Sequence, residues 1–293
     1  MSADQNLVRY LQTAKYHPRS SAHGDKLCEL VLADLLDLCE PFRTAARQRR
    51  IVYTLNHVID AGSPTQWNLD LVVGPPTSPQ QHLRISDAIL KGEPTEIWLA
   101  VDAKTIMTEH GKTRRNRQRD LNSLHDILHR KNPKTIVGGL VVLNMAERFK
   151  SPLRPEITIH RNVERLVHET VDMFRGLPLA KKGGTGLDAL GMIVIAHTNV
   201  DGDQTKLIST DPAPKRGDPL HYSTFLEDVC STFAARFGPL TIRKQPRYWF
   251  RSRRKLLRNA SLLLNLGLER LSKPPGSLSL FYNELLPCPP VVI

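Results

Sequence analysis

Apolar positions recur with a helical period over residues 23–40. Leu27, Leu30, Val31, Leu35 and Leu38 follow a His-Gly-Asp opening, so the spacing predicts an amphipathic helix there. The pattern then changes. Residues 50–60 are rich in β-branched and aromatic side chains and close on Ala-Gly-Ser-Pro, which predicts a strand and a turn. Residues 66–74 read as a second strand stopped by Pro75-Pro76, and residues 95–104 as a third, with a polar connection between them. A helix is expected over 114–130, ended by Asn132-Pro133, because the residue before a proline is disfavoured in helical backbone. Residues 134–144 form a continuous apolar run, the pattern of a central strand covered on both faces. A helix over 162–175 and a strand over 190–197 extend the sheet. Residues 181–186, Lys-Lys-Gly-Gly-Thr-Gly, form a loop without the GxxxxGK[ST] spacing of a phosphate cradle. Beyond Pro212 come a helix over 222–237, a strongly basic stretch over 243–258, a Leu-rich helix to about Leu271 and a Pro-rich, irregular tail from Pro274.

The order is therefore helix, three strands, helix, strand, which predicts an α/β fold with a mixed central sheet flanked by helices. Residues 1–210 are expected to form one domain, with its core at about 20–145 and its sheet extended to about 198. Residues 211–293 are expected to form a basic, mainly helical C-terminal region. No segment approaches the roughly 18 uninterrupted apolar residues that a membrane span requires, and the amino terminus lacks a basic then apolar secretory pattern. The expectation is a soluble, cytoplasmic protein without a membrane partner. Cys28, Cys39, Cys230 and Cys288 are scattered, with no CxxC pair and no histidine at zinc-ligand spacing, so neither a zinc ribbon nor a disulfide framework is indicated. Cys28 lies on the apolar stripe of the first helix and is expected to fill the core. A net charge of +12 favours a polyanionic partner, but the distribution of charge matters more than the total.

Chemistry concentrates in the third strand, Glu96-Ile-Trp-Leu-Ala-Val-Asp-Ala-Lys104. Alternation sends Ile97, Leu99, Val101 and Ala103 to one face and Asp102 with Lys104 to the other. In the second strand Leu69, Leu71 and Val73 form the apolar side and leave Asp70 opposite. If the two strands are neighbours, Asp70, Asp102 and Lys104 converge. Two carboxylates can hold Mg²⁺ through oxygen while the ion binds a phosphate oxygen, and a nearby lysine can orient or help deprotonate an attacking water.

These residues, Asp70 in Asn-Leu-Asp-Leu-Val-Val and Asp102-Ala-Lys104 in Leu-Ala-Val-Asp-Ala-Lys-Thr, resemble the PD-(D/E)XK nuclease superfamily, which includes many type II restriction endonucleases. The element order over residues 20–145 also resembles that superfamily's core. The resemblance implies that Asp70 and Asp102 are metal ligands and Lys104 the catalytic lysine. It implies further ligands in the backbone carbonyl of Ala103 and in Glu29 of the first helix. Leu69 stands where the nominal pattern has proline, a departure that many members share. The implied cofactor is Mg²⁺, with Mn²⁺ as a substitute.

Two basic regions would serve such a centre. Lys112, Arg114, Arg115, Arg117 and Arg119, with Gln118 and Asn122, follow the third strand and would contact the phosphate backbone, unless they are only a solvated helix face. His110 in this segment reads as a loop residue without a catalytic role. Further on, Arg247, Arg251, Arg253, Arg254 and Arg258 are interleaved with Tyr248, Trp249 and Phe250, a combination that suits nucleic acid or else anchors a helix. The expectation is a restriction- or defence-type endonuclease acting on double-stranded DNA. It would work as a homodimer that cuts both strands, with a cognate methyltransferase or defence-system partner. The alternatives are a non-catalytic nucleic-acid-binding or assembly protein on the same core, a recombination-type nuclease, or an RNase.

Overall fold

The structure, a computed structural model, describes residues 2–60, 66–77, 88–108, 110–180 and 185–238. The chain divides into two units, Met1–Pro239 and Leu240–Ile293, and the described residues all belong to the first. Along the chain run α1 (Ala3–Thr13), α2 (Ala22–Leu38), α3 (Glu40–Arg47), β1 (Val52–Asp60), β2 (Gln66–Gly74), β3 (Leu90–Lys91) and β4 (Leu99–Ile106). There follow α4 (His110–Lys131), β5 (Ile136–Asn144), β6 (Arg148–Lys150), β7 (Ile157–Ile159), α5 (Val163–Arg175), β8 (Ala189–Ala196), β9 (Lys206–Leu207) and α6 (Tyr222–Phe237).

The protein is α/β, with a mixed sheet in the order β3-β1-β2-β4-β5-β8-β9. β1 and β2 are antiparallel, as are β2 and β4, whereas β4, β5 and β8 run parallel. β5 is buried at every position, as its unbroken apolar run demands of a strand covered on both sides. Helices α1, α2, α3 and α6 share one core cluster with Leu71, Val73, Leu99 and Val101. Residues of α4 and α5 share another with Leu69, Val72, Ala100 and Ile106. Large side chains dominate both. Burying a residue such as Phe225, Phe233 or Phe174 contributes roughly 1.5–3 kcal/mol.

Several features depart from the sequence reading. α1 and α3, the short strands β3, β6, β7 and β9, and the start of α4 at His110 were not expected. The third long strand starts at Leu99, after Trp98 has already joined β2 through its N–H to Val73 O at 2.9 Å. α6 belongs to the core of the first unit, not to a separate C-terminal region, because Phe225 fits where a Cβ on Gly191 of β8 would lie only 2.8 Å from it. Arg236 near the end of α6 donates to Asp188 at 2.5 and 3.1 Å, and His129 of α4 lies 3.5 Å from the same carboxylate. Cys39 and Cys230 form a disulfide with a Cα separation of 5.5 Å, which scattered cysteines 191 positions apart did not announce. The basic stretch of residues 243–258 and the Pro-rich tail lie outside the described residues.

Candidate active site

The antiparallel pairing of β2 with β4 covers Leu71↔Val101 to Val73↔Leu99 and stops there. The next pair would be Asp70 with Asp102. β4 instead continues alongside β5 as far as Ile106↔Leu143, so the strands β2 and β4 fork at the two carboxylates. On the other side of β2, the ladder to β1 omits Asn56 opposite Asp70, and Asn56 takes a left-handed backbone with φ 56°. Regular alternation fails at this point. Leu69 packs in the α4–α5 cluster while Leu71 and Val73 pack in the other, correcting the expectation that all three share a face.

Main-chain groups released by the fork need partners, and the first acid supplies one. The Ala103 N–H donates to Asp70 Oδ2 at 2.7 Å. For the predicted Ala103 ligand position, the structure thus ties the residue to Asp70 through its amide. Asp102, one strand over, is 0% exposed. Lys104, two residues along the same face, donates from Nζ to Asp102 Oδ1 at 2.5 Å, with its side chain 16% exposed. The second oxygen, Asp102 Oδ2, is buried and meets no donor.

Burial pushes Asp102 up to about 7. Lys104 opposes that shift and the negative charge of the adjoining Asp70 reinforces it, since like charges side by side disfavour each other's ionisation. With both acids ionised, the pair would carry two negative charges against the single positive charge of Lys104. The nearby Cys28 thiol is pushed well above its ordinary value, first by burial and then by Asp70, Asp102 and Asp25, so it stays neutral and fills space.

Two acids of α2, Asp25 and Glu29, lie on the helix that packs near the fork, and they differ in their partners. Glu29 is 47% exposed and pairs with Lys26 at 3.2 Å, so the structure does not bring it into the group. Asp25, one turn earlier, accepts from Asn56 Nδ2 at 2.8 Å. It thereby fastens the start of α2 to the point of β1 that faces Asp70. The sequence carried a signal for this pair, a polar Asn interrupting a β-branched strand and the Asp of the helix opening, but one-dimensional spacing does not join them. Among the described residues no three His, Cys, Asp or Glu side chains are grouped to hold a metal, so the carboxylates at the fork are a pair.

The predicted phosphate contacts on α4 split into two faces. Lys112, Arg115, Arg119 and Asn122 are exposed and recur at helical spacing along one stripe. Arg114 and Gln118 turn instead to α5, Arg114 reaching Glu169 at 2.9 Å and Gln118 the Met173 carbonyl at 3.0 Å. Arg117 pairs with Asp120 at 3.2 Å. His110 is no loop residue; it begins α4, buried, and bonds to Asn144 O at 2.7 Å. Arg247, Arg251, Arg253, Arg254 and Arg258 lie outside the described residues.

The chain matches no known protein-family model, no curated protein and no solved structure. Among the described residues no helix is long and apolar enough to cross a membrane.

Proposed function

We propose that this protein is a Mg²⁺-dependent endodeoxyribonuclease that hydrolyses phosphodiester bonds of double-stranded DNA, of the restriction or defence type. The observation that carries the reading is the fork itself: Asp70 and Asp102 side by side, Lys104 bonded to Asp102, and one buried carboxylate oxygen with no donor. An acid lifted to about 7 by burial, with a second acid beside it, is a poor structural pair but a suitable cation cradle. The sequence α2, β1, β2, β4, α4, β5, with antiparallel, antiparallel and parallel pairing, supports a restriction-endonuclease-like core. The exposed basic stripe of α4, which follows β4 directly, supports a polyanionic substrate.

In this reading Asp70 and Asp102 hold the ion. Bound Mg²⁺ supplies positive charge against a phosphate oxygen and lowers the pKa of water. Lys104 Nζ, beside Asp102, would orient the attacking water and offset charge developing on the phosphate. Lys112, Arg115 and Arg119 bind flanking phosphates and fix the register of the duplex.

The test is incubation of methylated and unmethylated plasmid with Mg²⁺, with sequencing of any ends, beside competition by RNA, single strands and branched DNA. Cleavage that Asp70→Ala and Asp102→Ala each abolish, with folding intact, is the expected result. Cutting by either variant at the wild-type rate, or full activity in excess chelator, sinks the reading. Preferred cleavage of RNA or of branched DNA would move the protein to another class of nuclease.

A further inference from the structure

β6 and β7 form a two-stranded sheet apart from the main one. β6 is its inner strand. Phe149 is 1% exposed, the Lys150 N–H donates to Thr198 O at 2.7 Å, and Asn199 Nδ2 donates to Lys150 O at 2.8 Å. β7 is the outer strand, and among the described residues it pairs with β6 alone. Its outward side chains are apolar, with Ile157 43% and Ile159 65% exposed. An open strand edge carrying large aliphatic side chains invites another strand.

The pairing fixes which main-chain groups are open. The His160 N–H donates to Glu147 O at 2.7 Å, so positions of that parity, including Thr158 opposite Phe149, turn their groups toward β6. Ile157 and Ile159 turn theirs outward.

We propose that β7 pairs antiparallel with β7 of a second copy of this chain, about a two-fold axis through Thr158, joining two hairpins into one four-stranded sheet. The segment Glu156-Ile157-Thr158-Ile159-His160 is suited to itself. Read from either end it is polar, apolar, polar, apolar, polar, with an acid at one end and an imidazole at the other. About that axis Ile157 exchanges both main-chain bonds with Ile159 of the second copy, and the reverse pair does the same, so every outward group of the strand is used. The four isoleucines gather on one face, with Arg148 and Lys150 of each copy at its rim. Glu156 falls opposite His160, beside exposed Arg161, and not opposite another carboxylate. Sliding the register by two residues brings Pro155, which has no N–H, into the ladder, or sets Ile157 against Arg161. The pairing stands or falls independently of any nuclease activity.

Sedimentation of the full chain should give a dimer, and Ile159→Lys should halve the mass while circular dichroism shows the protein still folded. Thr158→Cys sets two thiols at a non-hydrogen-bonded antiparallel pair, where a Cα separation of ~4.5 Å suits a disulfide. Under mild oxidation this variant should run as a covalent dimer on a non-reducing gel, and adding Ile159→Lys should abolish that band. A monomeric wild-type chain overturns the proposal. A dimer indifferent to Ile159→Lys overturns it too, as does a dimer in which Thr158→Cys fails to cross-link.

Discussion

Asp102 is a carboxylate placed where ionisation is unfavourable, fully buried and with one oxygen lacking a donor. A divalent cation shared with Asp70 would remove that penalty, so binding should be visible as stability. At about a hundred times its Kd, Mg²⁺ would stabilise the fold by about 2.7 kcal/mol. Melting curves with and without Mg²⁺ should show that rise in the wild type and its loss in Asp70→Asn and Asp102→Asn. A rise of equal size in both variants would place the ion elsewhere. Lys104→Ala should keep the Mg²⁺ rise while turnover of plasmid falls by about 10²- to 10⁴-fold, because it removes a proton-handling, charge-stabilising group and no ligand. Ca²⁺ should stabilise the protein without supporting comparable cleavage, since its looser coordination holds the phosphate in a different geometry. Of these residues Asp70, Asp102 and Lys104 could be found in the sequence because polar groups interrupt apolar strands. Asp25 could not, because the bond that matters runs from α2 to Asn56 across 31 positions.

Each face of α4 calls for its own experiment. Replacing exposed Arg115 and Arg119 together by Gln should weaken DNA binding and flatten the dependence of log affinity on log salt by roughly 0.9 per contact, about two in all. Arg114→Gln should leave that slope alone and lower stability by no more than about 1 kcal/mol, because the ion pair it removes, to Glu169 of α5, is partly open to solvent. At the far end of α4, His129 shares Asp188 with Arg236. The bond to Asp188 raises His129 above its ordinary 6.5, so its contribution is complete below 6.5 and is lost as pH rises through the raised value. Burial pushes Asp188 up, but bonds from His129, Arg236 and the Val137 N–H together outweigh it and hold the acid below its ordinary 3.8. Its contribution is therefore complete above 3.8 and fails only in stronger acid. His23, His110 and His197 are lowered by burial and act with the opposite sign. The comparison is thus of wild type with His129→Gln, and the wild type should lose its advantage in unfolding free energy on going from pH 6.5 toward alkaline pH. A constant difference across that range would show His129 to be uncharged in the clip. Long elements were legible because their periods persist over many residues. β6, β7 and β9 were not, being too short for alternation to register, and α1 was missed because its buried face amounts to Ala3, Leu7 and Leu11 among polar neighbours.

For the molecule as a whole, the boundary of the first unit follows from α6. A change of composition after Pro212 suggested a separate region, yet Tyr222, Phe225, Val229 and Phe233 all enter the core with α2 and α3. Composition reports what a segment is made of, not which face of the sheet it closes, and that explains the misplaced boundary. The disulfide between Cys39 and Cys230 ties α6 to the junction of α2 and α3. Closing so long a loop restricts the unfolded chain, so reductant or Cys230→Ser should each destabilise the protein by about 2–5 kcal/mol, and the two together should not add. Additive losses in denaturant melts would mean that Cys230 contributes through packing and not through the bond.

The Ala103 amide, bonded to Asp70 at 2.7 Å, makes the fork observable without any substrate. An amide proton held by a carboxylate is deshielded, and its resonance shifts when that carboxylate gives its charge to an ion. Selective ¹⁵N labelling of alanine would therefore provide one NMR signal that titrates with whatever Asp70 binds, including in a Lys104 variant that no longer turns over.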